Sequence, residues 1–232
     1  MGTALTHAQA GDEDDRQAAR KHRAILEAAT TVFLENGYLG ASMDQVAARA
    51  GVSKQTVYKH FEDKEHLFAD IVTRTVDEAG EPTFNEVMSL GDSGDLHADL
   101  ADLAARLLTR VIQPRMLQLR RLVIGEAGRF PELGRVFYER GPGRTLAALT
   151  DVFAELDRRG LMDAGDPGIA AEHFNWLIMS APLNRAMFFS HDDLLPEAEL
   201  HRVAQSGVEV FMARYGRRRP ATKRPGNSPA VR

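Results

Sequence analysis

Within a single seven-residue stretch, Lys54, Gln55, Thr56, Tyr58, Lys59 and His60 all carry hydrogen-bond donors, and no acidic side chain follows until Glu62. Lysine can donate to guanine O6 or N7, glutamine can bridge adenine N6 and N7, and hydroxyl or ammonium groups suit phosphate oxygens. The chemistry implied is recognition of a nucleic-acid surface. Lys54, Gln55 and Lys59 fit either a base edge or a phosphate.

Such a cluster is useful only on a presented helix, and the flanking residues provide one. Ser42 with Gln45 three residues on forms a capping box that opens a first short helix. Gly51 can take the left-handed conformation that ends it, and Ser53 can cap the next. Val46, Ala50, Val52, Val57 and Phe61 form an apolar seam that holds the two helices crossed, with the small Ala47 where they approach. This is the punctuation of a helix-turn-helix, whose second helix lies in a DNA major groove. Upstream, Ile25, Ala28, Ala29, Val32 and Phe33 follow helical spacing up to Gly37. Downstream, Asp63 can cap a helix with Leu67, Phe68, Ile71 and Val72 on one stripe.

Residues of about 20–76 resemble the TetR family of bacterial transcriptional regulators. The resemblance rests on Ile25-Leu26-Glu27-Ala28-Ala29, Phe33, Gly37-Tyr38, Ser42, Val46-Ala47, Ala50-Gly51-Val52-Ser53, Thr56-Val57-Tyr58, His60-Phe61 and Lys64-Glu65-His66-Leu67. It implies that Lys54, Gln55, Thr56 and Lys59 face bases or nearby phosphates, while Ser42, Tyr58, His60 and Lys64 grip the backbone. Lys64 lies in the first turn of a helix, where the dipole also favours phosphate. The competing placement for His60 is a ring packed under its helix.

With 232 residues and 44% hydrophobic content, the chain suits two domains. It has no cysteine, so disulfides and thiolate metal sites are excluded, and no apolar run approaches membrane-span length. The acidic Asp12-Glu13-Asp14-Asp15 is unlike a secretory signal, so a cytoplasmic protein is expected. The net charge of −4 is segregated: residues 1–15 carry −4, 16–64 carry +3, 65–213 carry −10 and 214–232 carry +7. A basic reading head on an acidic body is compatible with DNA. Arg214, Arg217, Arg218, Arg219, Lys223, Arg224 and Arg232 lie among Gly, Pro, Ser and Asn, a composition expected to be disordered and to add salt-sensitive attraction.

The remainder reads as helices without strand alternation. Stripes run through Leu96, Leu100, Leu103, Leu107, Leu108 and Val111; through Met116, Leu119, Leu122 and Val123; and through Leu146, Leu149, Val152, Phe153 and Leu156, which Gly160 can end. Asp166-Pro167 opens a helix carrying Phe174, Leu177, Ile178 and Ala181. After Pro196 comes a stripe of Leu200, Val203, Ala204, Gly207, Val208 and Phe211, with Ala204 and Gly207 small enough for close helix packing.

The fold expected is all-α. A disordered N-terminus (1–17) precedes a three-helix helix-turn-helix DNA-binding domain (18–64). A larger helical ligand-binding and dimerisation domain (65–215) follows, then a disordered basic tail (216–232). Residues 123–133 and 137–142 resemble the AefR-like subgroup of the same family. That resemblance implies a homodimer paired through the last two helices, about 166–188 and 195–215. It also implies a repressor of a near-palindromic double-stranded DNA operator, released by a small apolar effector. Met116, Leu119, Phe137, Phe153, Trp176 and Met179 are the candidate pocket residues, though such stripes also serve as plain core. No cofactor or metal is expected. Glu172-His173, His191-Asp192-Asp193 and His97 with Asp95 and Asp99 are the best catalytic clusters, and none has a metalloprotease, phosphate-loop or nucleophile-elbow spacing.

Overall fold

The computed structural model describes residues 3–92, 94–190 and 193–217, with side chains from residue 16 onward. Residues 218–232, which hold most of the basic tail, lie outside the described residues, as do His191 and Asp192. The described chain is helical from end to end, and its one β-type contact is an isolated bridge between Met162 and Gly216.

Helix α1 (Thr3–Gly40) is interrupted at Gly37, whose φ of 70° and ψ of 175° are not helical. It begins at Thr3, well before residue 18, the expected start of the helix-turn-helix domain. That stretch holds several alanines and no proline, so a helix anchored by Ile25, Ala29 and Val32 can propagate toward the N-terminus. Helices α2 (Met43–Ala50) and α3 (Lys54–His60) follow, with Gly51 between them at φ 65°, a left-handed value that a side chain would strain. Helix α4 (Lys64–Met88) starts in the reading head and runs on into the body, so the two domains share a rigid element in place of a linker.

The body adds α5 (Leu96–Val111), α6 (Pro114–Glu126), α7 (Pro131–Tyr138), a π-helical turn (Glu139–Gly143), α8 (Arg144–Arg158), α9 (Pro167–Phe188) and α10 (Glu197–Tyr215). Helices α6, α7 and α9 open with proline in the first turn, where its missing N–H costs nothing. The π-helical turn contains Gly141-Pro142-Gly143, and widened turns of this kind recur at functional sites.

Burial divides into three apolar clusters. One fills the body between α5, α8, α9 and α10 around Leu103, Phe153, Phe174, Ile178 and Phe211. A smaller one joins the ends of α5, α9 and α10 through Leu108, Ile112, Leu183 and Leu200. The third is the core of the reading head, and it continues without a break through Leu119 and Val123 of α6 to Leu133 and Phe137 of α7.

Where α9 crosses α10, Gly207 is forced by contact. A Cβ added there would lie 2.9 Å from Ile178 Cγ2 and 3.1 Å from the Leu177 carbonyl oxygen. Gly207→Val is therefore expected to destabilise the body by about 1–3 kcal/mol through overpacking, read as a lower urea midpoint with an unchanged m-value.

Candidate nucleic-acid interface and effector cavity

The reading head is built by its caps. The Ser42 hydroxyl accepts from the Gln45 N–H at 3.2 Å, while the Gln45 side chain accepts from the Ser42 N–H at 2.8 Å. Ser53 Oγ accepts from the Thr56 N–H at 3.1 Å, and the Asp63 carboxylate from the His66 N–H at 2.9 Å. Val46, Val57 and Phe61 are buried beneath, which fixes the roll of α3 about its axis. Lys54, Gln55, Tyr58 and Lys59 are thereby left exposed on one outward surface, with Ser42 exposed at the start of α2.

Local partners differentiate them. Lys54 Nζ lies 2.8 Å from Asp44 Oδ1, an exposed ion pair across the helix-turn-helix that holds its ammonium and raises its pKa. Thr56 shares a 2.8 Å hydrogen bond with Ser53 through its hydroxyl. His60 takes the packed placement: its ring is half-buried, 5.6 Å from that of His22 in an edge arrangement and 6.4 Å from Phe61. Burial, then His22, Lys59 and Lys21, push its pKa below the ordinary imidazole value. Such a group contributes to folding stability above the ordinary value, and that contribution is lost as pH falls through the lowered one. The expected result is a His60 ring proton that titrates below the free-histidine range in an NMR pH series. His66 is expected to titrate above that range, because Asp63 accepts a hydrogen bond from it.

Lys64 also has local partners. Its ammonium, expected to hold phosphate, donates to the Ala41 carbonyl at 2.7 Å and sits 4.5 Å over the Tyr38 ring. Burial, followed by Arg129, lowers its pKa. The reason is the end of α1, where free carbonyls and an aromatic face outcompete solvent for a cation. Lys64 thus locks α4 to α1. Tyr38 in turn stacks edge-on with Phe130 at 4.8 Å and lies under Arg129, which ties this corner to the α6–α7 junction. Sequence reasoning assigned no role to Lys21, an exposed cation on α1 close enough to influence His60; the basic run through Arg16, Arg20, Lys21 and Arg23 was the available signal.

The second site is a cavity that opens among α4, α5, α6, α7, the π-helical turn, α8 and α9, with about 730 Å³ of empty space when the solvent at its mouth is counted. Met116, Phe137, Trp176 and Met179 line it, so four of the six candidates are brought together. Leu119 and Phe153 are corrections. Leu119 is buried in the core shared by α6 and the reading head. Phe153 packs at right angles to Phe174, 5.8 Å between centroids, and against Phe211 at 5.4 Å. Both belong to apolar stripes whose occupants are indistinguishable by spacing. The polar members of the wall, Thr83, Arg110, Arg120, Thr145 and Asn175, were missed, because polar residues isolated within helical stripes give no spacing signal.

Of the catalytic candidates, His173 shares a 2.6 Å hydrogen bond with the Tyr215 hydroxyl, a packing role between α9 and α10. No group of three or more metal-ligating side chains occurs among the described residues, and no helix there is long and apolar enough to cross a membrane.

Comparison with known proteins agrees with this geometry. Residues 25–71 match the family described as bacterial regulatory proteins, tetR family, and residues 98–217 match the AefR-like transcriptional repressor C-terminal domain. A solved putative TetR-family transcriptional regulator from Mesorhizobium loti is 42% identical, with 86% of this chain and 98% of that one covered at a TM-score of 0.81. The flavonoid-responsive regulator FrrA is 31% identical over 87% of this chain and 100% of its own, at a TM-score of 0.65. The transcriptional activator FasR from Mycolicibacterium smegmatis is 47% identical over 53 residues, so this chain spans about a quarter (24%) of that curated relative. These relatives and the fold are those of regulators, not enzymes. With an exposed donor surface on a capped recognition helix and a helical body that matches along its length, the chain belongs to the TetR family of DNA-binding transcriptional regulators.

Proposed function

We propose that the protein is a cytoplasmic homodimer that binds a near-palindromic operator, represses transcription, and is released by a small, largely apolar effector held in the α4–α9 cavity. The observation that carries this reading is the continuity of the head's apolar core with the cavity wall. Phe137 belongs to the same buried cluster as Val46, Val57 and Phe61, and its ring also faces the cavity. Interiors this densely packed transmit displacement. A ligand that moves Phe137 and α7 therefore acts on α1 and α4, and so on the spacing of two recognition helices. Release follows only if the ligand binds the mis-spaced conformer more tightly than the DNA-competent one.

Helix α9 supports dimerisation. It is apolar on nearly every face, with Phe174 and Ile178 buried inside, while Ile169, Trp176, Leu177 and Phe188 are turned to solvent, Phe188 at 82% exposure. A helix hydrophobic all round is normally buried all round, and a second copy supplies the missing cover. Two-fold symmetry then presents two α3 helices to successive major grooves. The apolar stripe of α10 is by contrast internal, since Leu200, Ala204, Val208 and Phe211 are buried within the chain.

The test is selection of genomic DNA fragments bound by the purified protein, followed by transcription of the adjacent genes with and without the protein. A shared inverted repeat and raised transcription on deletion are expected; fragments with no common motif would overturn operator binding. Lowered transcription on deletion would instead favour activation, the mode printed in the name of FasR.

A further inference from the structure

Arginines of the body are, in the main, matched by acceptors. Arg110 donates to both Glu86 carboxylate oxygens and to the Thr83 hydroxyl; Arg140 meets Asp77 at 2.7 Å and Arg144 meets Glu81 at 3.0 Å. Arg121 caps the end of α9 through the carbonyls of Ala186, Met187 and Phe189. Arg120, one residue earlier and half-buried in the cavity wall, has no such match. Its Nε is fully buried with no hydrogen-bond partner, and no ion pair to it occurs among the described residues. The guanidinium carbon lies 5.3 Å from the centroid of Phe137, a contact that offsets part of the cost but offers no acceptor. Burial lowers its pKa, yet a guanidinium remains protonated at neutral pH. A buried donor without an acceptor is costly to maintain.

Resting on the effector-cavity reading above, we propose that the cavity takes a monoanionic amphiphile: an apolar alkyl or aryl body carrying one carboxylate, which docks on Arg120. Three features select this class. Arg110 is already paired with Glu86, a carboxylate that Arg106 shares, which leaves Arg120 as the cation of the wall without a carboxylate partner among the described residues. The terminal edge of a guanidinium offers two parallel N–H groups, the geometry a carboxylate accepts in bidentate fashion and a single phenolate oxygen does not; of the Arg120 nitrogens only Nε is both fully buried and unpartnered, so the terminal pair is what a ligand meets. The rest of the lining, including Val76, Leu107, Met116, Met179 and Leu183, suits an apolar body and offers no second anion site. A neutral analogue of equal shape would leave the guanidinium without a carboxylate partner, so the discrimination is built into the wall.

Trp176 is the sole tryptophan of the chain and, although half-exposed on α9, also lines the cavity, so its fluorescence responds to a ligand seated there. The full-length protein is titrated with 6-phenylhexanoate and decanoate, and in parallel with 6-phenylhexanamide and decanamide, for the wild type, Arg120→Gln and Arg120→Lys. The expected result is at least tenfold tighter binding of each acid than of its amide in the wild type. Arg120→Gln should abolish that preference while binding the amides as before, and Arg120→Lys should keep part of it. The melting temperature of ligand-free Arg120→Gln is expected to be unchanged or higher, since an unpaired charge is removed. Amides that bind the wild type as tightly as the acids would overturn the anion assignment and leave the effector cavity standing, as would an acid preference that survives Arg120→Gln. Absence of any fluorescence response to all four compounds would overturn both readings. Should a variant fail to fold, the wild-type comparison of acid with amide decides alone.

Discussion

Exchanging Tyr58 for Phe and Lys59 for Ala together is expected to weaken operator binding by at least roughly thirtyfold, because each lost phosphate or base contact costs about 1–3 kcal/mol. The argument rests on how α3 is held. Val57 and Phe61 are buried, and the Ser53 cap fixes the first turn, so the Tyr58 and Lys59 side chains project outward with no hydrogen bond to lose among the described residues. Stability should therefore be unchanged, and the variant's melting curve should overlay that of the wild type. Lys59 should also contribute about one unit to the slope of log affinity against log salt, since a neutralised phosphate releases counterions. Fluorescence anisotropy at several salt concentrations measures both quantities. Unaltered affinity would remove α3 from the interface. Lys54 is a less clean probe, because Asp44 already holds its ammonium and must release it when a phosphate or base takes over.

Placing aspartate at both Ile169 and Phe188 is expected to convert the dimer into a folded monomer and to weaken operator binding by about a hundredfold or more. Both side chains are exposed in the single chain, so the substitution takes nothing from its core. In a two-fold interface the same change buries four uncompensated carboxylates, and an unpaired buried charge costs several kcal/mol. A monomer presents one recognition helix and loses the second half-site. Sedimentation velocity at micromolar concentration, with circular dichroism to confirm helicity, provides the check. A variant that remains dimeric would move the interface away from the outer face of α9.

Much of the reading head was legible because its determinants are local. The hydrogen bonds that cap α2, α3 and α4 join residues three apart, so Ser42 with Gln45, Ser53 with Thr56 and Asp63 with His66 could be paired by spacing alone. The same holds for Asp166, whose carboxylate accepts from the Ile169 N–H at the start of α9. The cavity was less legible. Met116, Phe137, Trp176 and Met179 line it, whereas Leu119 and Phe153, with equally good helical spacing, fill cores. Spacing tells which side of a helix is apolar, but not whether a neighbour or an open space lies against it.

From sequence alone came the all-α class, the helix-turn-helix and its outward donor set, each dictated by cap residues, left-handed glycines and helical periodicity within a few turns, and the family, through the resemblance that the motif residues between Ile25 and Leu67 carry. Tertiary structure alone decided the fates of three cations. Lys64 is drawn to the carbonyls that end α1, Lys54 is held by Asp44, and Arg120 is left without an acceptor in an apolar wall. A charged side chain is defined by what approaches it through space. The partners that matter, or their absence, come from segments of the chain that no local pattern brings together.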